Sequence, residues 1–234
     1  DLGDGAMVGA CARSRVAAFS FHPVKTVAMG EGGMATTNDP VLAERMARGR
    51  SHGMVREPRD FRQPGMAFDA GGDANPWYYE MPEPGFNYRP SDLNCALGIS
   101  QLAKLGRFVA RRRALVERYD TLLAGHAPFV RPIARHPWSE TAWHLYAVLI
   151  DFPALGIDRA WLMRELRERG IGTQVHYIPV HRQPYYRERY GDFPLPGADA
   201  YYDRTLSLPL FPAMTDDDVA RVAETLLSLT VNRR

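Results

Sequence analysis

Lysine is almost absent from this sequence. Of the 29 lysine and arginine side chains in 234 residues, only Lys25 and Lys104 are lysines. Since arginine supplies nearly all of the positive charge, a lysine that remains points to chemistry that a guanidinium group cannot perform. A lysine amine can lose its proton and attack a carbonyl carbon, whereas arginine stays protonated in proteins. Lys25 is therefore a candidate for covalent catalysis, and Lys104 is interpreted as an ordinary surface lysine.

Cysteine, net charge and long apolar runs are also scarce. Cys11 and Cys95 show no metal-binding spacing, and two cysteines do not suggest a disulfide-rich secreted fold. The formal net charge of +2 gives no electrostatic basis for binding nucleic acid or a membrane surface. No apolar run is as long as a transmembrane helix, and no pair of histidines has metal-binding helical spacing. We therefore expect a cytoplasmic protein that binds no metal, membrane or nucleic acid.

Hydrophobic patterns predict an α/β chain. A β-prone run at 16–21 predicts a buried strand, 34–37 predicts another, and Asp39 before Pro40 predicts a helix start. Residues 56–86 are rich in proline, glycine and aromatic side chains, which predicts a long functional loop. Apolar residues at helical spacing then predict one continuous helix from Ser91 or Asp92 to about Gly125.

The rest of the chain alternates between strands and helices. Strands are predicted at 143–151 and 173–176, a helix at 158–169, and a proline-punctuated loop at 178–197. Thr215 and Asp218 predict a capping box at the start of the final helix. The alternation is typical of a small α/β domain.

The residues around Lys25 form a motif. Ser20-Phe21-His22-Pro23-Val24-Lys25, followed by Gly30-Glu31-Gly32-Gly33, resembles the lysine segment of the DegT/DnrJ/EryC1/StrS sugar aminotransferases, which depend on pyridoxal 5′-phosphate (PLP). The blocks that agree with this family in order and spacing are Arg50-Ser51-His52-Gly53, Gly85-Phe86-Asn87-Tyr88-Arg89, Ala96-Leu97-Gly98, Trp143-His144-Leu145-Tyr146 and Ser207-Leu208-Pro209-Leu210. The resemblance covers nearly the whole chain.

The resemblance implies an α/β, aspartate-aminotransferase-like fold, which is PLP-dependent transferase fold type I. Residues 1–90 would form the C-terminal part of the large PLP-binding domain. Residues 91–124 would form a long connecting helix, and residues 125–234 the small C-terminal α/β domain.

The same resemblance implies roles for three residues at the cofactor. Lys25 would hold the PLP aldehyde as a Schiff base and then move the proton at the substrate carbon. Ser20 resembles a serine whose hydroxyl contacts the cofactor phosphate, although a serine at a strand end can also satisfy its own backbone. Asn87 resembles the asparagine that one subunit of a homodimer lends to its partner's phosphate, although asparagine is also common in turns.

Three stretches, at 20–25, 76–81 and 175–186, are most similar to one branch of the family. That branch aminates a UDP-linked 4-keto-6-deoxy sugar on the route to pseudaminic acid. The resemblance implies glutamate as the amino donor and a 4-amino sugar for surface glycans as the product. Arg89 is either a contact for an anionic substrate group or an ordinary ion-pair residue, and His176 and Tyr177 are candidate sugar contacts.

Some parts of the family's active site have no counterpart in the sequence. These are a phosphate-binding turn of glycine with serine or threonine, an aromatic that stacks on the cofactor ring, and an aspartate that keeps the ring nitrogen protonated. Asp1 and Asp4 lie too close to Lys25 to be that aspartate. The chain therefore resembles an N-terminally truncated member. We expect it to fold poorly alone, because strands of its sheet would lack neighbours.

Three interpretations stay open. The first is the C-terminal portion of an aminotransferase for a UDP-linked 4-keto sugar. The second is a family member that acts on another nucleotide sugar or at another carbon. The third is a fragment or interaction subunit that binds no cofactor alone. A dehydratase branch of the family has histidine in place of the lysine, and Lys25 argues against that branch.

Overall fold

Short strands and helices alternate along the protein in a computed structural model, which describes residues 5–232. The chain divides into two units, Asp1–Ala103 and Lys104–Arg234. Within the described residues, the first unit contains a two-stranded sheet and the second a three-stranded sheet. Asp1 and Asp4, which are too near Lys25 in sequence for the ring-nitrogen role, lie outside the described residues.

The first unit is a hairpin followed by helices and a long irregular segment. Its elements in chain order are β1 (Ala17–Ser20), β2 (Gly33–Thr36), α1 (Pro40–Gly49), a 3-10 turn (Pro58–Asp60), α2 (Pro64–Ala67) and α3 (Asp92–Leu102). The two strands pair antiparallel, with Ser20 opposite Gly33. The prediction of a buried strand was wrong, because the residues of β1 alternate between half-buried and exposed.

Two carboxylates fix local structure in this unit. Asp39 caps α1 by accepting hydrogen bonds from two backbone N–H groups of its first turn, which confirms the predicted helix start. Glu80 accepts from the backbone N–H groups of Arg62 and Gln63 at 2.7 and 2.8 Å and from the Tyr78 hydroxyl at 2.9 Å. Burial raises the pKa of Glu80, but these hydrogen bonds outweigh burial and hold it below its usual value. One side chain thus ties together the predicted long loop.

The single long helix predicted for 91–124 was wrong. Helix α3 ends at Leu102, and α4 (Leu105–Leu123) begins after two intervening residues. Lys104 has φ −98° and ψ −4°, so the chain leaves α-helical values while staying in the right-handed region. Leu102 and Leu105 keep a helical spacing across the break, which explains why the apolar pattern predicts one helix.

The second unit packs helices against a small sheet. Its elements in chain order are α4, β3 (Val130–Pro132), β4 (Tyr146–Ile150), α5 (Phe152–Leu155), α6 (Arg159–Glu168), a 3-10 turn (Val180–Arg182), α7 (Pro184–Tyr190), α8 (Pro196–Arg204), β5 (Thr205–Leu208) and α9 (Asp216–Leu229). Strand β4 lies in the middle of the sheet and pairs antiparallel with β3 and β5. The core includes the fully buried side chains of Leu115, Tyr119, Leu162, Leu206 and Leu226.

In the second unit, some of the elements predicted from the hydrophobic pattern are present and others are not. The strand at 143–151 and the helix at 158–169 are confirmed as β4 and α6. The strand at 173–176 was wrong, because only Gln174 forms a bridge there, with Ser207. The prediction of a loop at 178–197 was wrong in part, because a 3-10 turn and helix α7 lie within it. Strand β5 was not predicted, because all four of its residues are buried and show no alternation.

The predicted capping box on α9 is confirmed, and it implies a pH-dependent stability. Thr215 Oγ1 accepts from the Asp218 N–H at 3.1 Å, and the Thr215 N–H donates to the Asp218 carboxylate at 2.8 Å. Hydrogen bonds from the Thr215 backbone and side chain lower the pKa of Asp218. The Asp218→Asn variant is therefore expected to unfold at lower urea concentration near neutral pH.

The pKa of Asp218 is lower in the folded state than in the unfolded state. The ionised carboxylate therefore adds its full contribution to the free energy of unfolding at pH values above the unfolded-state pKa. This contribution disappears as pH falls through the folded pKa. The difference in urea midpoint between the parent and Asp218→Asn should shrink in acid. Glu224→Gln, an exposed change on the same helix, should show no such trend. A difference that stays constant with pH would show that the carboxylate charge does not matter.

Candidate active site

Lys25 lies in the loop that joins the two strands of the hairpin. The Phe21 N–H donates to the Gly32 carbonyl and the Met29 N–H donates to the Phe21 carbonyl, both at 2.9 Å. The Lys25 N–H donates to the His22 carbonyl, also at 2.9 Å. The side chain of Lys25 is half-buried. The amine is therefore carried by a backbone that is held in a closed loop.

His22 and Ser20 order the turn before the lysine. His22 Nδ1 accepts from the Val24 N–H at 3.3 Å, and its Nε2 lies 3.7 Å from a Glu31 carboxylate oxygen. The His22 N–H donates to Ser20 Oγ at 3.4 Å. This geometry gives His22 a part in shaping the loop. It also leaves the hydroxyl hydrogen of Ser20 available to an acceptor.

Burial alone does not separate the two lysines. Lys104, which was predicted at the surface, is half-buried as well, and it precedes α4 without a side-chain capping bond. Lys25 differs because it lies in a closed hairpin loop, at the end of the family's lysine motif. The motif, and not exposure, therefore selects Lys25.

Asn87 lies on a short strand-like pairing that follows α1. The Phe86 N–H donates to the Gly49 carbonyl at 2.7 Å, and the Tyr88 N–H donates to the Arg50 carbonyl at 2.9 Å. Asn87 itself takes part in an antiparallel bridge and is exposed. Its side chain thus projects from a backbone that is paired on both sides of it.

Two glycines allow this pairing. A Cβ atom on Gly53, whose φ is +73°, would lie 1.8 Å from the Glu83 carbonyl oxygen. A Cβ atom on Gly85 would lie 2.2 Å from the Gly53 nitrogen. Both positions exclude any side chain. This contact explains why the blocks at 50–53 and 85–89, far apart in sequence, both carry glycine.

Arg89 borders a cleft of about 530 Å³. Its Nη2 lies 3.4 Å from His52 Nε2, and Arg56 and Glu57 line the same cleft. Among the described residues, no carboxylate forms an ion pair with Arg89. Arg89 is thus able to meet an anionic group, although the cleft carries charges of both signs.

His176 and Tyr177 lie in the second unit. The His176 Nδ1 and the Ser207 hydroxyl are 2.8 Å apart, and Ser207 and Gln174 exchange backbone hydrogen bonds at 2.8 and 3.2 Å. Tyr177 is 68% exposed and packs edge-on against His176 at 4.6 Å between ring centroids. The pairing with β5 therefore orients His176 and leaves Tyr177 open to a ligand.

The donor groups of the first unit suit an aldehyde that carries a phosphate. Lys25 supplies a primary amine, and no ion pair occupies that amine within the described part of the chain. Ser20 and Asn87 supply a hydroxyl and an amide, which are donors that phosphate oxygens accept. The chemistry of these residues therefore fits PLP.

The described residues were also searched for metal sites and for membrane-spanning helices. Residues 5–232 contain no group of three or more side chains that could hold a metal ion. No described helix is long and apolar enough to cross a membrane.

A primary amine on a hairpin loop, with a serine hydroxyl five residues before it, supplies groups that a PLP-dependent enzyme needs. Comparison with known proteins identifies the family within this class of enzymes. The model of the DegT/DnrJ/EryC1/StrS aminotransferase family matches residues 3–227, and the chain belongs to this family. Family members depend on PLP, and the fold is the aspartate-aminotransferase-like type I fold.

Individual relatives agree with this assignment. The chain is 40% identical over 214 residues to the spore coat polysaccharide biosynthesis protein SpsC of Bacillus subtilis (strain 168), covering 88% of this chain and 51% of SpsC. Helicobacter pylori PseC, an aminotransferase involved in the biosynthesis of pseudoaminic acid, has a TM-score of 0.80 at 28% identity, covering 94% of this chain and 54% of PseC. The PLP form of Streptococcus pneumoniae Spr1654 has a TM-score of 0.80 at 25% identity, covering 97% and 54%. The chain thus spans about half the length of these relatives.

The sequence pattern assigned no role to Asn94. Its side chain contacts the backbone of the Lys25 loop from α3. The sequence signals nearby were the helix start at Ser91 or Asp92 and the family block at 96–98, and neither singled out Asn94.

Proposed function

We propose that the protein containing this chain is a PLP-dependent aminotransferase that converts a nucleotide-linked 4-keto-6-deoxy sugar to a 4-amino sugar. In this proposal the sugar is linked to UDP, glutamate gives the amino group, and the product enters surface glycan biosynthesis in the cytoplasm. The observation that carries the proposal is the position of Lys25 in a closed hairpin loop, at the end of the motif at 20–25. The stated role of PseC in pseudoaminic acid biosynthesis supports the choice of sugar.

The mechanism assigns two tasks to Lys25. Its amine would hold the cofactor through the aldehyde group, with release of water, and the same amine would then serve as the base and acid that moves a proton at the substrate carbon. When bound, PLP supplies an electron-withdrawing ring that stabilises negative charge at that carbon. Ser20 would donate a hydrogen bond to the phosphate of the cofactor held by its own chain, and Asn87 to the phosphate held by the partner. His22 keeps the turn before Lys25 in shape, so that the amine returns to the same place after each transfer.

Substrate contacts and assembly complete the proposal. Arg89 binds an anionic group of the substrate, while His176 and Tyr177 contact the sugar. The protein works as a homodimer in which Asn87 reaches the partner's phosphate. The large exposed side chains of Phe86, Tyr88 and Leu93, which are 60–85% exposed, support an interface close to Asn87.

The domain assignment from the sequence is kept as part of this proposal. Residues 1–90 belong to the large PLP-binding domain, 91–124 connect the domains, and 125–234 form the small domain. The division of the chain after Ala103 falls inside the proposed connection.

Reductive trapping tests the proposed cofactor chemistry. The complete protein is mixed with PLP, reduced with borohydride and digested, and the labelled peptides are mapped by mass spectrometry. We expect the label on the peptide that contains Lys25 and little on Lys104. Equal labelling of both lysines, or none, in the complete protein would contradict the proposal. Trapping in the complete protein but not in this chain alone would identify the chain as an incomplete part of the site.

A second candidate is transamination of a different nucleotide sugar. The observation in its favour is the 40% identity to SpsC, whose name refers to spore coat polysaccharide and not to pseudoaminic acid. Incubating the complete protein with glutamate and a panel of UDP- and TDP-linked keto sugars distinguishes the two. Turnover of a UDP-linked 4-keto sugar favours the first candidate. Turnover restricted to other members of the panel favours the second.

A further inference from the structure

Helix α3 reaches the Lys25 loop through one side chain. Asn94 Nδ2 donates a hydrogen bond to the Met29 carbonyl at 2.5 Å, and Asn94 Oδ1 accepts from the Ser91 hydroxyl at 2.5 Å. Ser91 is the N-cap of α3 and accepts from the Asn94 N–H at 3.2 Å. Because the Met29 carbonyl can only accept, the amide N–H group faces the loop and the amide oxygen faces Ser91.

The same part of the loop packs closely on α3. Met29 is 5% exposed, and a Cβ atom on Gly98 would lie 3.3 Å from the Met29 Cβ. A Cβ atom on Gly30, whose φ is +83°, would lie 2.6 Å from Asn94 Nδ2. Glycine on the helix and glycine in the loop therefore bring the two backbones together, and the Asn94 hydrogen bond spans the contact.

The contact joins the lysine loop to the element that follows Asn87, the residue proposed to serve the partner's cofactor. Met29 lies four residues after Lys25 in the loop, and its N–H closes that loop on Phe21. Helix α3 begins shortly after the segment that carries Asn87 and Arg89. A hydrogen bond from α3 to Met29 thus ties the lysine loop to the element that follows Asn87.

We propose that Asn94 is a positioning residue for Lys25. Its amide N–H fixes the Met29 carbonyl, and Gly98 provides the surface on which the Met29 side chain rests. Together they hold the C-terminal arm of the lysine loop, while His22 holds the N-terminal arm. The part of this inference that concerns PLP rests on the proposed function; the part that concerns the loop does not.

Asn94→Asp replaces the donor with an oxygen that faces the Met29 carbonyl, keeps almost the same shape and adds one negative charge, which the control variant adds as well. Asn75→Asp is the matched control, since Asn75 Nδ2 donates to the Met66 carbonyl at 3.0 Å, outside the lysine loop. Both variants are made in the complete protein. Amide hydrogen exchange is followed at Phe21 and Met29 without cofactor, and the PLP concentration that half-saturates trapping at Lys25 is measured.

In Asn94→Asp we expect exchange at the Phe21 and Met29 amides to be about tenfold faster, because a net hydrogen bond is lost and oxygen faces oxygen. Half-saturation of trapping should need about fivefold more PLP, since the free loop samples other positions. Asn75→Asp should leave both measurements within about twofold of the parent. Exchange and half-saturation that are unchanged in Asn94→Asp would overturn the proposal, even if the melting temperature fell.

Gly98→Ala provides an independent route if Asn94→Asp does not fold. The three atoms nearest to the added methyl group all belong to the Met29 side chain, so it should push on Met29 and change both measurements in the same direction. Unchanged loop exchange in Gly98→Ala would count against the proposal. Absence of trapping at Lys25 in the parent would contradict the proposed function instead, and loop exchange would still decide the role of Asn94.

Discussion

Replacing Lys25 with arginine is expected to abolish transamination by the complete protein. Arginine keeps the positive charge and much of the length, but a guanidinium neither forms the covalent link to an aldehyde nor releases a proton near neutral pH. Loss of the proton transfer alone should lower kcat/KM by about 10²–10⁴-fold. Loss of the covalent attachment adds to this. Steady-state assays with glutamate and a keto sugar measure the activity, and reductive trapping should find no label on the peptide.

Two further variants show whether the amine is responsible. Lys104→Arg removes the other lysine and should keep both activity and trapping close to the parent. Lys25→Ala leaves space for a small primary amine, so added methylamine should restore part of the proton transfer. Full activity in Lys25→Arg would refute the assigned role. Equal losses in Lys25→Arg and Lys104→Arg would point to general damage from removing lysines.

Local signals account for what could be predicted from the sequence. The two strands that flank the lysine loop were predicted from the β-prone runs at 16–21 and 34–37, whereas their antiparallel pairing was not predicted. The start of α1 at Asp39 and of α9 at Thr215 depends on side chains that bond within their own first turn. Such contacts involve neighbours in the chain, and a single sequence displays them directly.

Contacts between distant segments could not be predicted in this way. Asn94 and Met29 are 65 residues apart, and the local sequence pattern at neither position predicts a hydrogen bond between them. The break between α3 and α4 was missed because neither proline nor a capping signal marks it, while the apolar spacing continues. Strand β5 was missed because its burial comes from packing in the three-stranded sheet, not from alternation along the strand.

Arg112 is the second residue whose replacement should have a large effect, here on stability. This arginine of α4 is only 5% exposed, and its Nη1 donates to the carbonyls of Trp143, His144 and Leu210 at 3.3, 3.0 and 2.9 Å. Burial lowers the pKa of Arg112, because desolvation disfavours the charged guanidinium. These carbonyls lie in two blocks that the family resemblance singles out, so one buried donor joins them to α4.

Arg112→Ala should lower the free energy of unfolding of the second unit by about 3 kcal/mol, since it leaves one buried and two half-buried carbonyls without this donor. Hydrogen exchange of β4 amides measures this, because opening of a central strand reports on the whole unit. The expected change is about a hundredfold in exchange rate. Arg118→Ala, an exposed change on the same helix, should cost less than about 0.5 kcal/mol.

Arg112→Met decides which of two opposing effects is larger. Methionine fills much of the arginine volume and removes the buried charge, so it relieves the desolvation penalty while it still deprives the carbonyls of a donor. If the hydrogen bonds dominate, Arg112→Met is destabilised, though less than Arg112→Ala because no large cavity forms. A variant more stable than the parent would show that desolvation dominates. We expect the hydrogen bonds to dominate, because a single arginine nitrogen serves three carbonyls from two separate segments.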